Sequence, residues 1–246
     1  NYTYAKERLA LFSRENRLSN LSKTIDNLCR RTLKVALFST STIQGAGYAA
    51  YRVHRGLRKT NINSHLFTTV RNHENDNDVS VIKHPSGENS NWAHCQPKPK
   101  PGLTIFSLDE THVTSDHLME LVKDYDIVNL HWHARFLSVA NVAALSHSEK
   151  PIVITVRDMH PITGGCHFFH DCSSWMSECH NCPQIPRGNS GLPSETIQKK
   201  RLDYNFSNIT IVTLSNHTRR IIEDTPHFNS CKIVTIPNSI ETEVFK

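Results

Sequence analysis

The stretch DIVNLHWHARFLSVANVAALSHSEKPIVITV (126–156) decides the fold class of this chain. It contains two mostly apolar runs, at 126–131 and 151–156, on either side of a helix-length segment at 135–148. Nearly continuous apolar runs are typical of strands buried on both faces, and a helix that joins two such strands makes a parallel crossover. The stretch therefore predicts a strand–helix–strand unit of a parallel sheet.

The same alternation extends to both sides of this unit. Similar runs predict further strands at 33–39, 64–70, 103–107, 209–215 and 232–237, and helix-length segments lie between several strands, at 47–60, 115–124 and 216–224. Two segments rich in Asn, His, Pro, Ser and Gly, 71–102 and 160–200, interrupt the pattern and are predicted to be long loops. The pattern predicts an α/β fold with a Rossmann-like, doubly wound, mostly parallel sheet over residues 33–246.

The residues before this domain carry a different pattern. Leu18, Leu21, Ile25 and Leu28 recur at spacings of three and four, which makes one apolar stripe on a helix. Residues 1–32 are therefore predicted to form a helical N-terminal extension.

Composition limits the classes of partner. The net charge of +5 over 246 residues is mild, and its basic residues are dispersed. Since no basic block or basic–aromatic stripe is present, no nucleic-acid partner is expected. No window has the roughly 18 apolar residues that a membrane span needs, although a weakly basic surface leaves peripheral contact with anionic lipid open.

Two motifs follow predicted strands, where ligand crevices open in such sheets. Gly45-Ala46-Gly47 precedes the first predicted helix, so the glycines let the backbone approach a phosphate, although a flexible turn explains them equally well. After the strand at 126–131, His131 is a candidate for catalytic proton transfer, and Trp132 offers a platform for a sugar ring.

A third motif, Arg157-Asp158, follows the strand at 151–156. Adjacent side chains of an extended chain face opposite sides, so one can meet a ligand while the other anchors the loop. Arg157 suits phosphate or carboxylate, and Asp158 suits hydroxyl groups. A salt-bridged loop anchor is the competing interpretation.

Four of the seven cysteines, Cys166, Cys172, Cys179 and Cys182, lie within the loop predicted at 160–200. The closing Cys-x2-Cys is a common half-site for tetrahedral zinc, so a structural Zn²⁺ held by all four is the favoured prediction. Four thiolates would fill the coordination shell, which argues against a catalytic zinc. Two disulfides, free thiols and an iron–sulfur cluster remain the alternatives.

Taken in order, the motifs resemble the N-terminal half of family 4 glycosyltransferases, in particular the bacterial enzymes of exopolysaccharide and colanic-acid-like pathways. The resemblance covers about residues 33–246, and its most specific piece is Asp158-Met159-His160-Pro161-Ile162-Thr163-Gly164-Gly165-Cys166-His167, followed by the spaced cysteines. The segment IPNSIE (236–241) is similar to the family's Pro-Asn-Gly-Ile-Asp segment, with Ser and Glu in place of Gly and Asp.

This resemblance implies one half of a GT-B fold. The N-terminal domain of the family takes the acceptor, here expected to be a saccharide or a lipid-linked saccharide. A C-terminal domain, expected to be absent from this chain, takes the nucleotide-sugar donor. The sugar is transferred with retention of configuration and without a metal at the reacting centre, and the branch implies polysaccharide synthesis by a cytoplasmic protein at the inner face of the membrane.

The resemblance also implies roles for single residues. Gly45 and Gly47 would line the cleft, Asp158 would act on the acceptor side, and Thr163 and Gly164 would shape the adjoining substrate-binding turn. Arg157 stands where many relatives have His, which puts the family's role for that position in doubt. The competing functions are a non-enzymatic, zinc-bearing binding module and a disulfide-stapled secreted protein.

Overall fold

The structure, a computed structural model, describes residues 32–73, 75–83, 105–185 and 191–240. The predicted helical extension lies outside these residues except for Thr32, so it stays a prediction. In the described part of the chain, seven strands form one sheet: β1 (Lys34–Phe38), β2 (Asn63–Thr68), β3 (Val79–Val81), β4 (Ile127–Leu130), β5 (Ile152–Thr155), β6 (Ile209–Thr213) and β7 (Lys232–Thr235).

Five α-helices accompany these strands within the same described ranges. They are α1 (Gln44–Lys59), α2 (Ser115–Val122), α3 (Val139–Ser146), α4 (Leu192–Asp203) and α5 (Asn216–Glu223). Hydroxyl side chains cap three of the helices at their N-termini. Thr114 caps α2, Ser138 forms a capping box with Asn141 on α3, and Ser215 caps α5.

The sheet is parallel throughout, in the order β3-β2-β1-β4-β5-β6-β7. The chain runs outward from β1 to β3 and then returns to place β4 on the other side of β1. The winding direction therefore reverses between β1 and β4, and the loops that leave these two strands diverge. This arrangement confirms the predicted α/β, Rossmann-like fold and opens a crevice at the carboxyl end of the sheet.

Strand β1 shows why a buried parallel strand is apolar at every position. Val35 and Leu37 enter one hydrophobic cluster, which contains Leu66 and residues of α1. Ala36 and Phe38 enter the larger cluster on the opposite face. Because side chains alternate along a strand, the run VALF is covered on both sides of the sheet.

Two predicted loops contain regular structure, and the described part of one predicted strand does not join the sheet. Strand β3 lies inside the predicted loop 71–102, and α4 begins inside the predicted loop 160–200 and ends just beyond it. Helix α4 was missed because its sequence, LPSETIQKKRLD, is mostly polar and lacks an apolar stripe. In the predicted strand 103–107, the described residues make only an isolated antiparallel bridge, between Phe106 and Cys166.

Within the described parts of the chain, every helix falls short of the length and apolarity that a membrane crossing requires.

Several histidines are buried in this fold as neutral side chains. Burial lowers the pKa of His54 to about 4, while its Nδ1 lies 2.9 Å from the hydroxyl of Ser64. Burial likewise lowers the pKa of His131 to about 3 and of His133 to about 4. The unfolded chain takes up protons near pH 6.5, whereas the folded chain does so only at much lower pH.

We therefore expect the free energy of unfolding to fall as the pH is lowered from 6.5 towards 4. Each such histidine contributes a slope of about 1.4 kcal/mol per pH unit. Urea unfolding at pH 7, 6 and 5 measures the dependence of the unfolding free energy on pH. His54→Asn should reduce this slope by about 1.4 kcal/mol per pH unit, the contribution of one histidine. His117→Asn, a substitution on the exposed side of α2, is the control. An identical slope in the His54→Asn variant would contradict the account.

The first turn of α1 leaves no room for a side chain at Gly47. A Cβ atom there would lie 2.3 Å from the carbonyl oxygen of Ser41, whereas a Cβ at Gly56 of the same helix would meet nothing within 4 Å. Gly47→Ala should therefore lower the free energy of unfolding by about 1–3 kcal/mol.

Gly56→Ala is the matched control in the same helix. It should raise the free energy of unfolding by up to about 1 kcal/mol, because alanine favours a helix more than glycine does. Urea titration of the two variants checks both signs, and equal effects would show that the turn tolerates a side chain at Gly47.

Candidate functional site

A pocket of about 600 Å³ lies at the carboxyl end of the sheet. Its lining consists of Ser41, Ile43, Gly45, Ala46, Gly47, Ile105, Trp132, Asp158, His167 and Phe168. Five of these residues were predicted from the sequence: the three of the glycine turn, Trp132 and Asp158. They follow β1, β4 and β5, so the parallel sheet brings together segments that are far apart in the chain. The volume suits a small-molecule site.

The glycine turn is tied to the loop after β4 by two hydrogen bonds. The Thr40 amide donates to the carbonyl oxygen of Trp132 at 2.7 Å, and the Thr40 hydroxyl donates to that of Ala134 at 2.6 Å. Helix α1 then begins after Ile43 without a side-chain cap. Its backbone departs from helical geometry at Gly45, so the chain is kinked where Gly45 and Gly47 line the pocket. Glycines at such a place let a ligand approach the backbone closely.

Asp158 is the carboxylate of this pocket, and three donors hold it. Its Oδ2 accepts from the indole Nε1 of Trp132 at 2.6 Å and lies 2.6 Å from Nδ1 of His167. Its Oδ1 accepts from the backbone N–H of His160 at 3.0 Å. The side chain is still 23% exposed. The carboxylate is therefore oriented by the protein and retains accepting capacity towards the pocket.

His167 is a pocket residue that sequence reasoning missed as a functional residue, because it lies within the cysteine-rich segment. Its Nε2 lies 2.8 Å from the Ser107 hydroxyl. Backbone hydrogen bonds from Ser107 to Gly165 and from His167 to Ile105 pair the two segments. Ser107 and His167 are 60 residues apart, and no spacing rule in the sequence joins them.

The series Ser107–His167–Asp158 has the residue types and the contacts of a hydrolase triad but lacks an accessible nucleophile. Ser107 is 1% exposed, and its hydroxyl oxygen accepts a hydrogen bond from Nε of Arg135 at 3.2 Å. A nucleophilic serine must reach its substrate with an activated oxygen. Ser107 connects two side chains here and is not placed to attack.

His131 is not placed for the predicted proton transfer. It is 2% exposed and does not line the pocket. Its Nδ1 lies 3.0 Å from Nη2 of Arg157, and burial, with the charge of Arg157, lowers the pKa of His131 to about 3. The imidazole is thus a neutral packing group beneath the site at ordinary pH.

Arg157 and Asp158 face different surroundings, although they lie in a bend after β5 and not in the extended segment that was predicted. Arg157 packs against His131 and donates to the side-chain oxygen of Asn238. Burial, followed by the nearby charge of Arg52, lowers the pKa of Arg157 to about 10. Arg157 does not line the pocket, so its predicted contact with substrate stays a prediction.

Thr163 and Gly164 shape the loop beside the pocket and do not line it. Thr163 is buried, and its hydroxyl donates to the carbonyl oxygen of Cys166 at 2.6 Å. Gly164 packs against α4 so closely that a Cβ would lie 2.2 Å from the carbonyl oxygen of Pro193. The buried ammonium group of Lys200 donates to the carbonyl oxygens of His160 and Thr163. The predicted role of the pair in substrate binding has no support in this geometry.

All four clustered cysteines lie in the described residues, and all four are free thiols. Burial raises the pKa of Cys166 to about 12, and Cys166 and Cys182 pack with Phe106 and Ile185 as small apolar groups. In the described ranges, no three His, Cys, Asp or Glu side chains are arranged to hold a metal ion. The structural zinc therefore stays a prediction that this arrangement does not support.

Comparison with known proteins adds one finding to this geometry. The sequence profile described as Glycosyltransferase Family 4 matches residues 43–244, which include every pocket residue except Ser41. No curated protein matches the chain. Since the profile covers well over half of the sequence and the fold is the expected one, the chain belongs to glycosyltransferase family 4.

Proposed function

We propose that this chain is the acceptor-binding half of a GT-B glycosyltransferase. The enzyme would transfer a sugar from a nucleotide-sugar donor, with retention of configuration, in the synthesis of cell-surface polysaccharide. Membership of the family supports glycosyl transfer in general. The observation that carries the acceptor role is the pocket in which the oriented carboxylate of Asp158 lies beside Trp132 and the glycine turn.

The pocket supplies the two contacts that a sugar acceptor requires. A hydroxyl group can donate to Asp158, whose carboxylate is a charged acceptor. The Trp132 ring lines the same pocket, and its face suits the apolar C–H surface of a sugar. With the hydroxyl hydrogen directed at Asp158, the acceptor oxygen presents a lone pair to the donor sugar. The contribution to the rate is then mainly positioning.

The donor would meet this chain through its diphosphate. The kinked glycine turn, Gly45-Ala46-Gly47, lines the pocket, and its backbone N–H groups would bind the diphosphate. The nucleotide would be held by a second, C-terminal domain, as the family resemblance implies. Developing charge on the leaving diphosphate would be stabilised at the boundary between the domains.

The rim of the pocket favours an acceptor with an apolar part. Ile43, Ile105 and Phe168 are large, exposed apolar residues that line it. Exposed apolar groups collected at one opening are typical of an interaction site. We propose a lipid-linked saccharide as the acceptor, used by a cytoplasmic protein in peripheral contact with the inner face of the membrane.

Asp158→Asn tests the acceptor role in the full-length protein. Transfer from UDP-glucose, UDP-galactose, GDP-mannose and GDP-fucose is followed by release of UDP or GDP in the presence of lipid-diphosphate-linked saccharides. Loss of a charged hydrogen bond should raise the KM for acceptor about 10- to 100-fold and leave the KM for donor unchanged.

Asp116→Asn, at an exposed position in the first turn of α2, makes the same chemical change away from the pocket. It should behave like the unsubstituted protein. Unchanged acceptor kinetics in Asp158→Asn, or an equal loss in both variants, would refute the proposed role of the carboxylate.

A further inference from the structure

We propose that His167 is a second functional residue of the pocket and that Ser107 and Arg135 are its positioning residues. With Asp158 they hold the imidazole in place as the tautomer that has its proton on Nδ1, directed at the carboxylate. The catalytic consequence rests on the proposed function. The tautomer does not, because it follows from hydrogen bonds within this chain.

The direction of the hydrogen bonds is set by what each group can donate. A guanidinium has donors only, so Nε of Arg135 donates to the Ser107 oxygen at 3.2 Å. The carboxylate of Asp158, 2.6 Å from Nδ1, requires a proton there, so Nε2 of the neutral imidazole accepts and the Ser107 hydroxyl, 2.8 Å away, donates to it.

The indole of Trp132 is consistent with this assignment. Its N–H lies 3.1 Å from Nδ1 of His167 but only 2.6 Å from Oδ2 of Asp158, and it donates over the shorter distance. Two N–H groups therefore converge on one carboxylate oxygen. This convergence stops the carboxylate from rotating and leaves its remaining lone pairs for a ligand.

Burial of Ser107 and His167 favours this set of hydrogen bonds over the alternatives. Ser107 and His167 are almost completely buried, and a buried polar atom without a partner is costly. Arg135 reaches Ser107 from a backbone with φ of 64°, the left-handed region that is uncommon for residues other than glycine. The carbonyl oxygen of Arg135 is in turn held 2.8 Å from Nδ1 of His112. The fold thus maintains an uncommon backbone conformation at Arg135, the residue whose guanidinium donates to Ser107 behind His167.

Removing the Ser107 hydroxyl deprives Nε2 of His167 of its hydrogen bond, while the carboxylate of Asp158 still requires a proton on Nδ1. A buried acceptor without its partner is costly, so the imidazole loses one of the two contacts that fix its orientation. The position of the ring against Asp158 becomes less well defined, although no residue that lines the pocket has been replaced.

The first test measures the tautomer directly. Long-range ¹H–¹⁵N correlation spectra of the ¹⁵N-labelled full chain at neutral pH distinguish a protonated from an unprotonated ring nitrogen, and a His167→Gln spectrum assigns the signals. We expect Nδ1 protonated and Nε2 unprotonated in the unsubstituted chain, and a shifted Nε2 signal in Ser107→Ala because that nitrogen loses its hydrogen bond. A proton on Nε2 in the unsubstituted chain, or an unchanged Nε2 signal in Ser107→Ala, would overturn the proposal.

The second test measures the catalytic consequence. Ser107→Ala should lower kcat/KM for the lipid-diphosphate-linked acceptor about tenfold at an unchanged KM for the nucleotide-sugar. Ser64→Ala is the matched control, because it removes another buried Ser–His hydrogen bond, to His54, outside the pocket. Its acceptor kinetics should stay at the level of the unsubstituted protein.

The outcomes separate this proposal from the proposed function. Equal losses of transfer in Ser107→Ala and Ser64→Ala would show a general effect on stability and would overturn the positioning role. If Asp158→Asn leaves acceptor kinetics unchanged while the spectra show the Nδ1–H tautomer, the acceptor role fails and the tautomer assignment stands.

Discussion

The pairing of β1 with β4 is the constraint on which the rest of the structure depends. The two strands lie side by side because the chain reverses its winding direction there. Their hydrogen bonding continues past the strands, from the His131 amide to Phe38 and from the Thr40 amide to Trp132. The glycine turn and the Trp132 loop are therefore fixed relative to each other before any side chain contributes. Packing of a further strand, β5, adds Asp158 to the same edge.

The pocket exposes one carboxylate, that of Asp158, and the surrounding protein fixes its orientation. Asp158 is held from inside by Trp132, His167 and a backbone N–H group, so its orientation does not depend on the ligand. The groups behind it are nearly inaccessible to water, which strengthens each hydrogen bond and penalises any alternative arrangement. A rigid acceptor group on a strand end is well suited to orient a hydroxyl.

The cysteine-rich segment supports the pocket from the side. Cys179 accepts a hydrogen bond from the Gly164 amide at 3.3 Å, and Cys166 pairs with Phe106 through the backbone. Lys200 holds the same loop through two carbonyl oxygens, and burial lowers its pKa to about 8. His167 follows Cys166 directly, so packing of the thiols also places the imidazole that contacts Asp158. The cysteine-rich segment therefore contributes to the pocket by fixing the backbone that carries His167.

The sequence alone determined the parallel sheet, most of its strands and helices, and five of the residues that line the pocket. These features leave local signals, because a strand buried on both faces must be apolar throughout and glycine must stand where the backbone passes close to itself. Only the tertiary structure decided that His131 is buried away from the pocket, that His167 enters it, and that Ser107 and Arg135 stand behind it. Those placements depend on contacts between segments 26 to 60 residues apart, and no local pattern of residues encodes such contacts.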